Sequence, residues 1–137
     1  MNKRRLYKKR VNAQLRLGEH IICDFSQCSR DLLYEPERAR LVFSRAVRES
    51  GLTVLDETYH AFAPHGFSCL LLLAESHASL HAWPEHGYIA VDLFTCNLEM
   101  DTQPLVETLK AAFGAQTAQV MKVNRMALAE VLEPVHA

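Results

Sequence analysis

The sequence predicts an α+β fold: a two-layer sandwich in which an antiparallel sheet carries two helices on one face. Three observations predict it. First, Pro36–Ser50 and the segment opening at Pro104 each start at a proline, space apolar residues by three or four, and end at Gly51 and Gly114. That is how amphipathic helices read. Second, several other segments are short runs rich in β-branched, aromatic and aliphatic residues, the pattern of strands. Third, the gaps between the middle runs are only a few residues long. Such gaps join antiparallel neighbours and are too short for parallel crossovers.

Taken in order, residues 1–16 are polar and without a clear period. His20–Phe25 (HIICDF) is a first strand, and Ser26–Ser29 breaks it. Asp31–Tyr34 leads to the first helix. There Ala39, Val42, Phe43, Ala46 and Val47 form the inner face, while Glu35 and Glu37 sit at the positive end. Leu52–Phe62 is a second strand, and Ala63-Pro64-His65-Gly66 a turn. Phe67–Ala74 is almost wholly apolar, as expected of a strand covered on both sides or at a sheet centre. Ser76–Trp83 continues as a strand, and Pro84–Gly87 turns. Tyr88–Phe94 then alternates Ile89, Val91 and Leu93 against Tyr88, Ala90, Asp92 and Phe94. Asn97–Gln103 is a polar connector. The second helix turns Leu105, Leu109, Ala112 and Phe113 inward. Ala118–Val123 is a last short strand, and Met126–Leu132 a short terminal helix.

The length of 137 residues suits one domain, and 49% hydrophobic against 23% charged residues is a globular balance. The net charge of −1 hides an asymmetry, since residues 1–10 carry six positive charges and no acid, leaving the rest at −7. We read residues 1–16 as a basic, flexible leader in front of a single domain spanning 17–137. The acidic body is a poor nucleic-acid platform, so no nucleic-acid partner is expected. No secretory signal pattern is present, and the longest unbroken apolar run, Leu70–Ala74, is far too short to span a membrane. The four cysteines form no CxxC pair. Free thiols in a cytoplasmic protein are the expectation.

Chemistry-bearing residues crowd into Leu70–Cys96. His77, His81 and His86 with Cys96 are donors suited to zinc, but the HxxxH spacing lacks the usual carboxylate, and no metal is expected. Cys23, Cys28 and Cys69 read as small buried hydrophobes. Cys96 is a candidate thiol nucleophile or proton donor, and the sequence alone does not separate the two. Glu75-Ser76 follows a strand long enough to be central, where polar groups are costly without a purpose.

The run Ala74–Cys96, AESHASLHAWPEHGYIAVDLFTC, closely resembles the self-cleavage and active-site signature of the prokaryotic S-adenosylmethionine decarboxylase proenzymes. That pattern is an apolar run, AESH, a serine and a histidine shortly after, WPE, GY-x-A-x-D, and FTC. Phe62–Ser68 resembles the family's F-x-P-x-G-x-S element, and Gly18-Glu19-His20 its opening strand. The resemblance covers about residues 18–114.

It implies a pyruvoyl enzyme that cuts itself between Glu75 and Ser76 into two chains that stay together. Ser76 Oγ attacks the Glu75 carbonyl, elimination from the resulting ester leaves a dehydroalanine, and its hydrolysis with loss of ammonia gives a pyruvoyl group. Ser68 and His81 assist this processing. The pyruvoyl ketone then forms a Schiff base with the substrate's amine and takes up the electrons released with CO₂. By the same resemblance Cys96 is the proton donor, Phe62 stacks on the adenine of S-adenosylmethionine, and Glu85 holds the ribose hydroxyls. The product is the aminopropyl donor of spermidine synthesis, and a homodimer with sites near the subunit interface is implied. Asn97, Cys69, His65 and His86 depart from the family's usual residues. Arginine or ornithine is the alternative substrate. A zinc- or RNA-binding module using the histidines or the basic leader is the reading from another class.

Overall fold

A computed structural model describes residues 17–125. The leader at 1–16 and the helix expected at Met126–Leu132 lie outside the described residues. The elements are β1 (Gly18–Ser26), α1 (Arg30–Leu33), α2 (Pro36–Glu49), β2 (Val54–Ala61), β3 (Phe67–Leu73), β4 (Ser76–Trp83), a 3₁₀ turn (Pro84–His86), β5 (Tyr88–Thr95), α3 (Gln103–Ala112) and β6 (Thr117–Arg125). The six strands form one sheet in the order β2-β3-β4-β5-β1-β6, antiparallel throughout. No helix of the described residues is long and apolar enough to cross a membrane.

The helices sit where their apolar stripes dictate. Ala39, Phe43, Ala46 and Val47 of α2 and Leu105, Val106 and Leu109 of α3 are buried in one cluster with the inner faces of β1, β3, β4 and β5. Phe25, Phe43, Phe67 and Phe113 are fully enclosed there. Each such ring contributes about 1.5–3 kcal/mol relative to exposure. Pro36 opens α2, and Gly51 follows its cap at φ 94°, a left-handed position that suits glycine. The short α1 escapes the sequence reading because one turn shows no period. Its start is nonetheless chemical: the Ser29 hydroxyl accepts the Leu32 N–H at 3.4 Å.

Of the two alternatives for Phe67–Ala74, the interior position holds, since β3 is paired on both edges, while cover on both faces does not. Phe67, Cys69, Leu71 and Leu73 point into the core, but Leu70 is 48% exposed and Leu72 55%. The helices cover only one face of the sheet. By register, the bare face carries Ile22, Leu70, Leu72, Met121 and Val123 among polar neighbours. An apolar run in β3 therefore means apolar residues on both faces, with cover on one.

Candidate active site

The chemical residues gather at the two ends of the β3–β4 pair. At one end, Ala74 and Glu75 make a two-residue turn between Leu73 and Ser76, which face each other across the ladder. Tight hairpins of this kind favour glycine, because the twist demands positive φ. Here the demand falls on Ser76, whose φ is 148°. L residues avoid that range at a cost of about 1–3 kcal/mol. The strain lies at the peptide that joins Glu75 to Ser76.

That peptide is pinned on both sides. The Glu75 carboxylate accepts the Thr53 N–H at 3.1 and 3.2 Å, and the Ala74 N–H donates to the Thr53 carbonyl at 2.9 Å. The Glu75 carbonyl oxygen accepts the Cys96 N–H at 2.9 Å. A turn fixes that donor: the Thr95 hydroxyl accepts the Asn97 N–H at 3.0 Å, and the Asn97 side chain accepts from Glu99. An N–H aimed at a carbonyl oxygen polarises it and stabilises negative charge that develops there. Ser76 Oγ lies 3.4 Å from His77 Nδ1.

At the other end of the same ladder, Ser68 of β3 faces His81 of β4, and Ser68 Oγ lies 2.7 Å from His81 Nδ1. Both line a cavity of about 400 Å³ with Phe62, His65, Trp83 and Glu85. That is within the range of small-molecule sites. Phe62 enters from the turn Ala63–Gly66, closed by its N–H donating to the Gly66 carbonyl at 2.8 Å. A side chain at Gly66 would meet the Ala82 carbonyl at 3.2 Å, with φ at 94°, so the turn needs glycine. Glu85 comes from the 3₁₀ turn. Its Oε2 is enclosed against His65 Nε2, and Tyr34 meets the His65 ring edge-on at 5.6 Å. An apolar ring, a carboxylate and a hydroxyl–imidazole pair thus converge on one hollow.

The two groups do not meet within one chain. Ser76 and His81 lie five residues apart on β4, about 17 Å along an extended strand. The structure brings Glu75, Ser76 and Cys96 together, and separately Phe62, Ser68, His81 and Glu85. Among the described residues no three or more His, Cys, Asp or Glu side chains assemble as a metal site. Cys23, Cys28 and Cys69 are buried and Cys96 is exposed, all as free thiols. Burial, and then the nearby Glu57 carboxylate, pushes the Cys69 thiol up to about 12.

The sequence reading missed the Thr53 clamp, the Cys96 N–H, the His65 contact and the His77 contact. One of these was countable. Stepping outward from the turn after Trp83, with Trp83 opposite Tyr88, sets Cys96 opposite Glu75. The Thr53 and His65 contacts come from loops, where no period exists to count.

Comparison with known proteins identifies the family. The family model for S-adenosylmethionine decarboxylase matches residues 19–126. An S-adenosylmethionine decarboxylase proenzyme of Thermotoga maritima is 38% identical over 109 residues, covering 80% of this chain and 84% of that protein. One from Fervidobacterium nodosum is 37% identical over 121 residues, covering 88% of each. The crystal structure of the adenosylmethionine decarboxylase from Aquifex aeolicus superimposes with a TM-score of 0.73 at 31% identity, covering 80% of this chain and 91% of that one. The chain therefore belongs to the S-adenosylmethionine decarboxylase family.

Proposed function

We propose that this protein is a self-processing, pyruvoyl-dependent S-adenosylmethionine decarboxylase that supplies the aminopropyl donor for spermidine synthesis. The observation that carries the reading is the Glu75–Ser76 junction: a strained serine whose preceding carbonyl is held by a backbone N–H. A serine at this place fits a group built from its own side chain. That group, once made, supplies a ketone for the substrate's amine and a sink for the electrons that CO₂ leaves.

The chain's own residues supply the rest. Phe62 offers a half-exposed ring face, suited to a purine beside a sulfonium charge. Glu85 presents a carboxylate that accepts two hydrogen bonds from a ribose diol. Ser68 and His81 form a hydroxyl–imidazole couple able to move a proton. Cys96 follows β5, its N–H on the Glu75 carbonyl and its thiol exposed; we assign that thiol the proton that the decarboxylated carbon needs.

Because the two groups lie about 17 Å apart along one strand, we infer a homodimer with shared sites. A two-fold axis over the bare sheet face sets the Ser76 end of one copy against the Ser68–His81 end of the other. Ile22, Leu70, Leu72, Met121 and Val123 are the apolar residues such packing would cover. Four free thiols suit a reducing, cytoplasmic setting.

Mass spectrometry of purified protein, with CO₂ release from S-adenosylmethionine, tests the reading. Two chains cut between Glu75 and Ser76, the second blocked to Edman chemistry, are expected together with activity. Only the intact 137-residue chain after long incubation sinks the pyruvoyl reading. Release of CO₂ from arginine or ornithine alone moves the substrate.

A further inference from the structure

We propose that His77 is the catalytic base that takes the Ser76 hydroxyl proton in the first step of self-cleavage, within the same chain. The inference rests on the self-cleaving function proposed above and adds a residue to it.

Adjacent residues of a strand point to opposite faces, so Ser76 and His77 should not touch. The positive φ of Ser76 breaks the alternation where β4 begins, and Ser76 Oγ comes to 3.4 Å from His77 Nδ1. A contact of that length is long for a hydrogen bond, as catalytic contacts often are before the reacting state forms.

The imidazole is held from both sides. Phe94 lies across from it on β5, with ring centroids 5.8 Å apart. Phe94 itself fits only because residue 18 is glycine: an added Cβ would come to 2.2 Å from the ring. His20 meets His77 edge-on at 6.4 Å. His20 is anchored in turn by Asp92 at 3.0 Å and Arg125 at 3.3 Å. On the other flank, Leu72 and Asp56 share a groove with His77. The base thus sits on a packed shelf beside the hydroxyl.

Competing bases in the same chain are engaged or distant. The Glu75 carboxylate is taken by the Thr53 N–H. His81 lies about 17 Å along the strand and pairs with Ser68. The step balances without a co-reactant. His77 Nδ1 takes the Oγ proton, and a bond forms from Oγ to the Glu75 carbonyl carbon, with the charge on its oxygen facing the Cys96 N–H. The carbon–nitrogen bond then breaks, and the imidazolium returns its proton to the Ser76 nitrogen. An ester and an amine remain.

The test follows newly made protein from cell-free synthesis, sampled over time by mass spectrometry. His77→Ala and His77→Gln should each slow appearance of the cut chains about 100-fold, the low end of a general base's contribution. Because the slowed step precedes the ester, added hydroxylamine should release no cut chain from either variant. His77 is exposed in the single chain but lies on the face that the proposed dimer covers, so each variant's dimer mass is measured beside its thermal melt, and both should match wild type. Slowing of less than tenfold in both variants overturns the inference and leaves the decarboxylase reading standing. So does an ester that accumulates and is cut by hydroxylamine, because His77 then acts after the shift. Wild-type protein that never cuts overturns both.

Discussion

The two ends of the β3–β4 ladder work by different means. At the Glu75 turn backbone donors do most of the holding: the Thr53 N–H donates to the Glu75 carboxylate and the Cys96 N–H to the Glu75 carbonyl, beside the peptide proposed to be cut. At the Ser68–His81 end, side chains do it, through a hydroxyl, an imidazole, a ring and a carboxylate around a hollow. The difference teaches where substitution can reach. Changing a side chain does not remove an N–H, so cleavage should survive changes at Thr53 and Cys96, whereas substrate binding should weaken when the Glu85 side chain is changed.

The largest effect comes from separating the ends genetically. Ser76→Ala should stay uncut, and His81→Ala should lose activity; each alone should be inactive in CO₂ release. Made together in one cell, they should recover on the order of a quarter of wild-type activity. Half the dimers are then mixed, and each mixed dimer holds one intact shared site. Absence of recovery, with mixed dimers confirmed by mass, would break the shared-site arrangement.

Next, Cys96→Ala should cut within a few-fold of the wild-type rate, because its N–H remains. Its decarboxylation should fall by about 10²–10⁴. Full activity in that variant removes Cys96 as the proton donor, and an uncut chain assigns its side chain to processing. Glu85→Gln, at the other end, should cut normally and raise KM roughly 10- to 100-fold through weakened charged hydrogen bonds. A cleavage defect there would blur the division between the ends.

The smallest effect concerns the buried thiols. Burial and the Glu57 charge hold Cys69 up near 12, and burial holds Cys23 and Cys28 near 11, all from an ordinary 9.0. A thiol raised by folding favours the folded state while it is neutral. Its contribution is fully present below about pH 9 and is lost as pH rises toward 11–12. Melting temperature should accordingly fall across that window, and iodoacetamide at neutral pH should label Cys96 alone. Labelling of Cys69 at neutral pH would contradict its enclosure.

Much of this was legible in the residues. The amphipathic stripes gave α2 and α3, and hairpin-length gaps gave the antiparallel neighbours β2 to β5. The placement of β1 between β5 and β6 was not legible, since the connections that bring it there span most of the chain. The exposed Leu70 and Leu72 misled because an apolar residue carries no mark of which face is covered. In the site, the motif residues stand in one run of sequence and look like a single cluster. Extension as a strand pulls Ser76 and His81 apart, while folding back at Pro84–Gly87 returns Cys96 to Glu75. Proximity in sequence was the poorer guide, and the ladder register the better one.

The order of the sheet has a consequence for the protein after a cut between Glu75 and Ser76. The strand β1 precedes the cut, while both its neighbours, β5 and β6, follow it. The two pieces are interleaved, sharing the β3–β4, β5–β1 and β1–β6 ladders. Unfolding then liberates two polypeptides instead of one. Mass action makes the melting midpoint climb with protein concentration, and dilution works against recovery. Before such a cut, folding is an intramolecular event. A denatured mature molecule would have to thread β1 back between two strands of a separate chain.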